Sequence, residues 1–220
     1  MMETEASHSD KDTAPAAGPL PPYLVVNNFL SEELVARLLD HALLNEAKFA
    51  ATTIRHGIVD ASRRNSVGLR DLGPMKAEIK SRLQALLPSL IEQLRVTPFE
   101  LARTETELVA HGDGAFYKRH IDTLTGDTAD DTTQRMISGV YYFYAEPRAF
   151  SGGALRLHAF GAPDANTKFV DIQPQQNTLV VFPSWAIHEV RPIELPSKRF
   201  VDSRFAINCW LRRAKPEQKA

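Results

Sequence analysis

Apolar side chains recur along this chain at two different periods, and the change from one to the other falls close to Phe99. Before that point the spacing is helical. Ser31 stands ahead of Glu32 and Glu33, and Leu34, Leu38, Leu39 and Ala42 follow at three- and four-residue intervals. This predicts a helix running to about Glu46, capped by the Ser31 hydroxyl and carrying its acids at the positive end of the helix dipole. Ile79, Leu83, Leu86, Leu87, Leu90, Ile91 and Leu94 predict a second helix over Met75 to Leu94. Pro88 should kink or divide it, because proline has no N–H to give the preceding turn. Both leucine stripes read as core-facing surfaces. Between the helices, Ala50 to Gly73 mixes Arg55, Arg63, Arg64 and Arg70 with Gly57, Gly68 and Gly73 and holds no sustained period, so it reads as short strands and loop.

Beyond Phe99 the period becomes two. Short β-rich segments run over Glu107 to Ala110, Phe116 to Asp122, Ile137 to Tyr144, Ala154 to His158, Thr178 to Phe182 and Phe205 to Trp210, separated by glycine, proline and Asp/Asn clusters. That is the pattern of an α+β chain whose core is an antiparallel barrel or double-sheet jelly roll, the double-stranded β-helix, with the N-terminal helices packed outside. Pro15, Pro19, Pro21 and Pro22 lie among Ala, Ser, Gly and acidic residues, so 1–22 reads as a tail too poor in apolar surface to order itself. The expected organisation is one domain over 23–213, with helical support at 30–97 and a β core at 99–213, followed by a polar tail at 214–220.

Composition narrows the partners. The 220 residues carry 26 Lys plus Arg against 27 Asp plus Glu, a net charge of −1, which removes the electrostatic footprint of a general nucleic-acid binder. Apolar residues make up 43%, enough for a sizeable core. Cys209 is the single cysteine, so neither an intrachain disulfide nor a cysteine-based zinc cluster can form. The start Met1-Met2-Glu3-Thr4-Glu5 is acidic, and no apolar run approaches the roughly 20 residues of a membrane span. The expectation is a cytoplasmic protein with no nucleic-acid or membrane partner.

Three segments carry candidate chemistry. On a strand, residues two apart share a face, so His120 and Asp122 can set an imidazole nitrogen and a carboxylate oxygen on one metal ion. Alone this pair is weak evidence, because His-x-Asp recurs by chance. A second segment, Leu179 to Val190, runs an apolar strand into a proline-containing turn and delivers His188, a third ligand if the strand lies on the opposing sheet. Two histidines and one carboxylate make a facial triad with open positions, the arrangement of non-heme Fe(II) oxygenases. In the third segment, Arg204 stands on an otherwise apolar β run, Phe205 to Trp210, where a guanidinium is costly unless a carboxylate meets it in bidentate geometry. A dicarboxylate cosubstrate would answer that cost; a protein Asp or Glu, or a solvent-facing position, would answer it equally.

Together these segments resemble the iron(II)- and 2-oxoglutarate-dependent dioxygenases, on the prolyl 4-hydroxylase-like branch, over about Phe99 to Arg213. The matching elements, in order, are Tyr117-x-x-His120-x-Asp122, Gly139-Val140-Tyr141-Tyr142-Phe143, Ser151-Gly152-Gly153-Ala154-Leu155-Arg156-Leu157, Phe182-Pro183 ahead of His188-Glu189-Val190, and Arg204 six residues before Trp210. The resemblance implies Fe(II) held by His120, Asp122 and His188, with 2-oxoglutarate chelating the metal and extending its far carboxylate to Arg204. It also implies O2 as cosubstrate and ascorbate as an optional reductant. Tyr142 is a second candidate for the far carboxylate, with a core aromatic as the equal alternative. His111 stands where many prolyl hydroxylases have a tyrosine, nine residues before the first metal histidine, and either bonds the cosubstrate or caps a strand. Lys198, ten residues after His188, rivals Arg204, but it lies in a Pro/Ser-rich loop. Tyr117 is a candidate substrate-side residue only if a bulge breaks strict alternation, since it sits an odd number of residues from His120.

The implied activity is hydroxylation of an unactivated C–H bond, with 2-oxoglutarate decarboxylated to succinate and CO2. A carboxylate at Asp122 favours hydroxylation over halogenation, for which related enzymes carry a small residue there. The implied substrate is a prolyl residue in a peptide or protein; the same scaffold also serves free amino acids and small metabolites. Two other readings stand beside it: a non-enzymatic jelly-roll module that binds metal to sense or to stabilise, and a cupin-like metalloenzyme that uses no 2-oxoglutarate. His8, His41, His56 and His158 have no ligand-spaced partner. The acidic Asp127-to-Asp131 run reads as a solvated loop beside the site mouth, with repulsion of anionic substrates as an alternative role.

Overall fold

The computed structural model describes residues 18–54, 57–123, 132–161 and 167–215. Strand β1 (Leu24–Asn27) leads into helix α1 (Glu32–Leu44), where the Ser31 hydroxyl accepts from the Leu34 N–H at 3.3 Å as the capping pattern requires, and Leu34, Leu38 and Ala42 turn inward. Helix α2 (Lys76–Gln93) buries Ile79, Leu83 and Leu90. It runs unbroken through Pro88, contrary to the expected division. Pro88 lies on the solvent side, where water can bond the carbonyl that its missing N–H leaves behind.

The stretch between the helices supplies β2 (Ala50–Ala51), β3 (Arg64–Asn65) and β4 (Val67–Leu69). The alternating region supplies β5 (Arg103–His111), β6 (Phe116–His120), β7 (Thr133–Phe143), β8 (Ser151–Gly152), β9 (Leu155–His158), β10 (Phe169–Ile172), β11 (Thr178–Pro183), β12 (His188–Val190), β13 (Ile193–Glu194) and β14 (Arg204–Ala214). They form a seven-stranded sheet in the order β1-β11-β7-β14-β5-β4-β2, a five-stranded sheet in the order β10-β9-β12-β6-β3, and the short pair β13-β8. This is the expected jelly roll with helices outside.

Period-two alternation gives the large sheet two faces. Tyr141, Phe143, Leu179, Val181, Phe205, Ile207, Cys209 and Leu211 join Leu34, Leu38, Ile79 and Leu83 in one core beneath the helices. Their neighbours Val140, Tyr142, Val180, Phe182 and Ala206 pack with Leu155, Leu157 and Ile172 of the small sheet in a second core. At roughly 1.5–3 kcal/mol for each fully buried large apolar side chain, the helix-side core is the main source of stability. Cys209 is a free buried thiol there, pushed up by burial to about 12.

Residues 1–17 and 216–220 of the expected tails lie outside the described residues, as does the Asp127-to-Asp131 run. The chain is engaged before Tyr23, however. The Gly18 N–H donates to the Phe160 carbonyl at 2.8 Å, the Phe160 N–H returns a bond to the Pro19 carbonyl at 3.1 Å, and Pro21 is buried. These contacts offset the ordering cost that composition alone left unmet.

Asn177 couples α1 to the sheet. It sits at φ 54°, a left-handed turn that asparagine tolerates, just before β11. Its Oδ1 accepts from the Leu30 N–H at 2.9 Å and the Tyr141 hydroxyl at 3.0 Å, and its Nδ2 donates to the Leu30 carbonyl at 2.8 Å. Asn177→Ala strands three buried polar groups and is expected to cost about 1–3 kcal/mol, read as a lowered urea midpoint with an unchanged slope.

Candidate metal centre

β6 ends at His120, Asp122 follows two residues later, and β12 begins at His188, which is paired directly with His120 across the ladder. The register does what sequence separation hides: it sets His188 against the His120/Asp122 pair. One ligand atom from each of the three lies within 4.8 Å of the other two, and the imidazole rings sit with centroids 4.1 Å apart. Each histidine turns its Nδ1 to a carbonyl two residues back, His120 to Lys118 at 2.7 Å and His188 to Ala186 at 2.9 Å. Donation there leaves each Nε2 as a lone pair facing the centre. The Nε2 atoms stand 3.7 Å and 3.6 Å from the Asp122 carboxylate.

Electrostatics favour the ligand forms. Burial, helped by the neighbouring His188 imidazole, depresses the His120 pKa against the opposing pull of Asp122, so this imidazole is neutral at neutral pH. Burial alone would raise Asp122, but His188, His120, Arg135 and the Ser138 hydroxyl outweigh it and hold the carboxyl well below the usual carboxylate range.

The carboxylate is also held in place. Asp122 Oδ2 accepts from the Ser138 hydroxyl at 2.7 Å and the Trp210 indole N–H at 2.8 Å, and the Asp122 and Thr123 N–H groups both donate to the Ser184 carbonyl at 3.0 Å. The Arg135 guanidinium lies 3.7 Å over the Trp210 ring and pairs with Glu105 at 2.7 Å; Glu105 is also met by Arg212. Sequence reasoning used Trp210 only as a spacing mark and missed Ser138, Arg135 and Glu105. The signal was the two-residue period from Arg204, which puts Asn208, Trp210 and Arg212 on the inner face.

Arg204 is 1% exposed, and none of its three guanidinium nitrogens has a hydrogen-bond partner among the described residues. Burial without a facing anion lowers its pKa from the ordinary value, with the Tyr142 hydroxyl pulling the other way. Tyr142, fully buried, lies with its ring centroid 5.0 Å from the guanidinium carbon, and its hydroxyl likewise lacks a partner. Burial raises that phenol, tempered by Arg204. His111 pairs with Arg204 across β5–β14, its Nδ1 is also unpartnered, and burial with Arg204 and Arg64 nearby keeps it neutral. One orphaned buried cation with two orphaned polar groups beside it fits a carboxylate that accepts from Arg204 and Tyr142.

The structure separates the rival cation. Lys198 is 76% exposed and faces Asp113 at 3.8 Å, away from the triad, whereas Arg204 lines the same cavity as His120, Asp122 and His188. Tyr117 is brought to the site by the bulge that alternation requires. His188 pairs with His120 and Val190 with Tyr117, so three steps on β6 match two on β12. Its ring stacks on His120 at 3.5 Å and is covered by Arg64, which pairs with Glu107 at 3.1 Å. Of the other histidines, His41 bonds the Asp71 carbonyl at 3.0 Å and His158 faces Glu189 at 3.6 Å, both away from the triad; His8 and His56 lie outside the described residues. The cavity holds about 1080 Å³ and runs from Arg204 past the triad to the loop at Thr53, Ile54 and Ile58.

Comparison with known proteins is consistent with this geometry. Residues 106–212 match the family model of the 2OG-Fe(II) oxygenase superfamily. An uncharacterized PKHD-type hydroxylase of Synechocystis sp. is 33% identical over 195 residues, 87% of this chain; the chain spans 63% of that relative's length. A Pseudomonas putida prolyl-4-hydroxylase shares the fold with a TM-score of 0.63 and 24% identity, covering 88% of this chain and 94% of its own. A Trichoplax adhaerens prolyl hydroxylase in complex with a hypoxia inducible factor oxygen degradation domain peptide fragment does so with a TM-score of 0.62 and 23% identity, over 87% and 83%.

Removing the indole donor while keeping the ring, Trp210→Phe, is expected to weaken Mn(II) binding about tenfold or more, the usual effect of losing a hydrogen bond to a ligating carboxylate. Asp122→Ala should remove it. Isothermal titration with Mn(II) checks both.

Proposed function

We propose that this chain is a dioxygenase that hydroxylates a prolyl residue in a polypeptide: residues 106–212 match the 2OG-Fe(II) oxygenase superfamily, and the fold is shared with a prolyl-4-hydroxylase. His120, Asp122 and His188 are the residues that would hold Fe(II). Arg204 and Tyr142 would take the distal carboxylate of 2-oxoglutarate, and His111 would sit neutral beside it. With iron and cosubstrate bound, the chemistry supplied is oxidative decarboxylation of 2-oxoglutarate to succinate and CO2, coupled to insertion of one oxygen atom into a substrate C–H bond.

The protein's own part is positioning. The paired strands β6 and β12 carry both imidazoles, each held by its Nδ1 bond to a carbonyl, and the buried His120 is neutral, so its Nε2 would meet the metal without first losing a proton. Ser138 and Trp210 occupy one oxygen of Asp122 and leave the other turned to the centre. Tyr117 stacks flat on His120, which restrains the ring and walls the substrate side. The fully buried Arg204 fixes where a keto acid must extend, and hence which end faces the metal.

The observation that carries this reading is the unpartnered Arg204 guanidinium in the cavity of the triad. Neither a purely structural metal site nor a cupin-like site without 2-oxoglutarate has use for it. Support for a polypeptide substrate comes from the cavity, whose volume exceeds that of most small-molecule pockets, and from the peptide bound in one structural neighbour.

Succinate release from 2-oxoglutarate tests the reading. Wild type is expected to turn over with Fe(II), while His120→Ala and Asp122→Ala do not. Arg204→Ala should raise the KM for 2-oxoglutarate about tenfold or more, the loss of a charge-assisted contact, with Mn(II) binding retained. Equal turnover in wild type and the triad variants overturns the assignment.

A further inference from the structure

Past the triad, the cavity follows β5. Arg103, Thr104, Glu105, Thr106 and Glu107 all line it. Side chains on a strand alternate between faces, so a cavity that touches five consecutive residues runs along the strand's edge and not over one face. The ladder agrees. β14 pairs with β5 from Arg103 to His111, but β4 covers the opposite edge only from Leu108 to Ala110, and among the described residues no strand pairs with that edge over Arg103–Glu107. The open run is roughly 17 Å long at 3.4 Å per residue. Thr106 Oγ1, on the same stretch, is buried without a hydrogen-bond partner.

Cations flank this edge. Lys76 and Lys80 lie one turn apart on α2, and Gln84, the next position of that stripe, donates to Thr104 Oγ1 at 3.3 Å, which lays the stripe beside β5. Arg70 and Arg103 line the same space. None of the four forms an ion pair among the described residues. Burial, reinforced by the like charges of Lys76 and Arg103, lowers the Lys80 ammonium from its ordinary value. The acids of the edge do not cancel them, because Glu105 is taken by Arg135 and Arg212 and Glu107 by Arg64. In a chain of net charge −1 this is a local concentration of positive charge.

We propose that the open edge of β5 is the docking strip for the substrate, an extended acidic polypeptide segment that pairs its backbone with Arg103–Glu107 and sets carboxylates against Lys76, Lys80 and Arg103. This rests on the reading of the site as a polypeptide hydroxylase and names its substrate class. Backbone pairing supplies affinity that is indifferent to sequence, the cations supply selection, and the strip leads the chain toward the metal centre.

Fluorescence anisotropy on the full chain, with Mn(II) and 2-oxoglutarate and without either, tests it. The probes are a labelled peptide with Ala-Pro-Ala between runs of Asp and Glu, its counterpart with Lys in place of the acids, and two forms of the acidic peptide N-methylated at odd or at even amides. The acidic peptide should bind about tenfold or more tighter than the basic one at low salt, with the advantage shrinking near 0.5 M salt. One of the two N-methylated forms should lose most of its binding. Lys76→Glu/Lys80→Glu should abolish or reverse the preference, with the melting temperature and Mn(II) affinity held. Equal binding of acidic and basic peptides, or an unchanged preference in the double variant, overturns the charge selection; full binding by both N-methylated forms overturns the edge. Anisotropy needs no turnover. Selective binding without succinate formation would therefore strike the oxygenase reading alone, and turnover indifferent to peptide charge would strike this proposal alone.

Discussion

The two-residue period of β14 is the constraint on which the molecule depends. Phe205, Ile207, Cys209 and Leu211 are pressed into the core beneath the helices, and that packing leaves no freedom for the residues between them. Arg204 and Trp210 must point the other way, toward the small sheet. A single hydrophobic decision on one face thus places a cation and an indole donor on the other, and the antiparallel partners β5 and β7 add His111, Tyr142 and Ser138 at matching heights.

Such an inner face is expensive, because charges removed from water must be met by others. Most are. Glu105 has two arginines, Glu107 has Arg64, and Asp122 has a hydroxyl, an indole N–H and two imidazoles. Among the described residues the Arg204 guanidinium has no hydrogen-bond partner within reach, and neither do the phenol of Tyr142 and one imidazole nitrogen of His111 beside it. The protein tolerates this group only because the surrounding sheet over-determines its position. A dicarboxylate bound as proposed would relieve that deficit, and the cost of burying the guanidinium would be returned as affinity.

How much of this could be read from residues alone depended on whether the cause was local. The Ser31 cap, the leucine stripes and the alternating strands are local, and so is the setting of His120 and Asp122, two residues apart, where they could hold one metal. Arg204 was readable as an anomaly, a guanidinium in an apolar run, and its strand context already favoured it over Lys198 in a Pro/Ser-rich loop; the fold adds that one points inward and the other to solvent. Pro88 does not divide its helix, because it lies on the side that faces water. The period of β14 turns Trp210 inward, but the hold on Asp122 from Ser138 and the covering of Trp210 by Arg135 join separate strands, and no spacing announces them. The ordering of residues 18–22 is of the same kind, since its partner is Phe160.

The bulge in β6 carries a consequence for descent. Ordinary strands accept a change of length by sliding, at the cost of inverting every side chain beyond the slip. Here the extra position between Tyr117 and His120 already absorbs one such slip, and it lets an aromatic wall and a metal ligand occupy the same side. Insertions and deletions should therefore accumulate freely in the loops of relatives and be purged from this four-residue stretch, whose length is bound more tightly than its spelling.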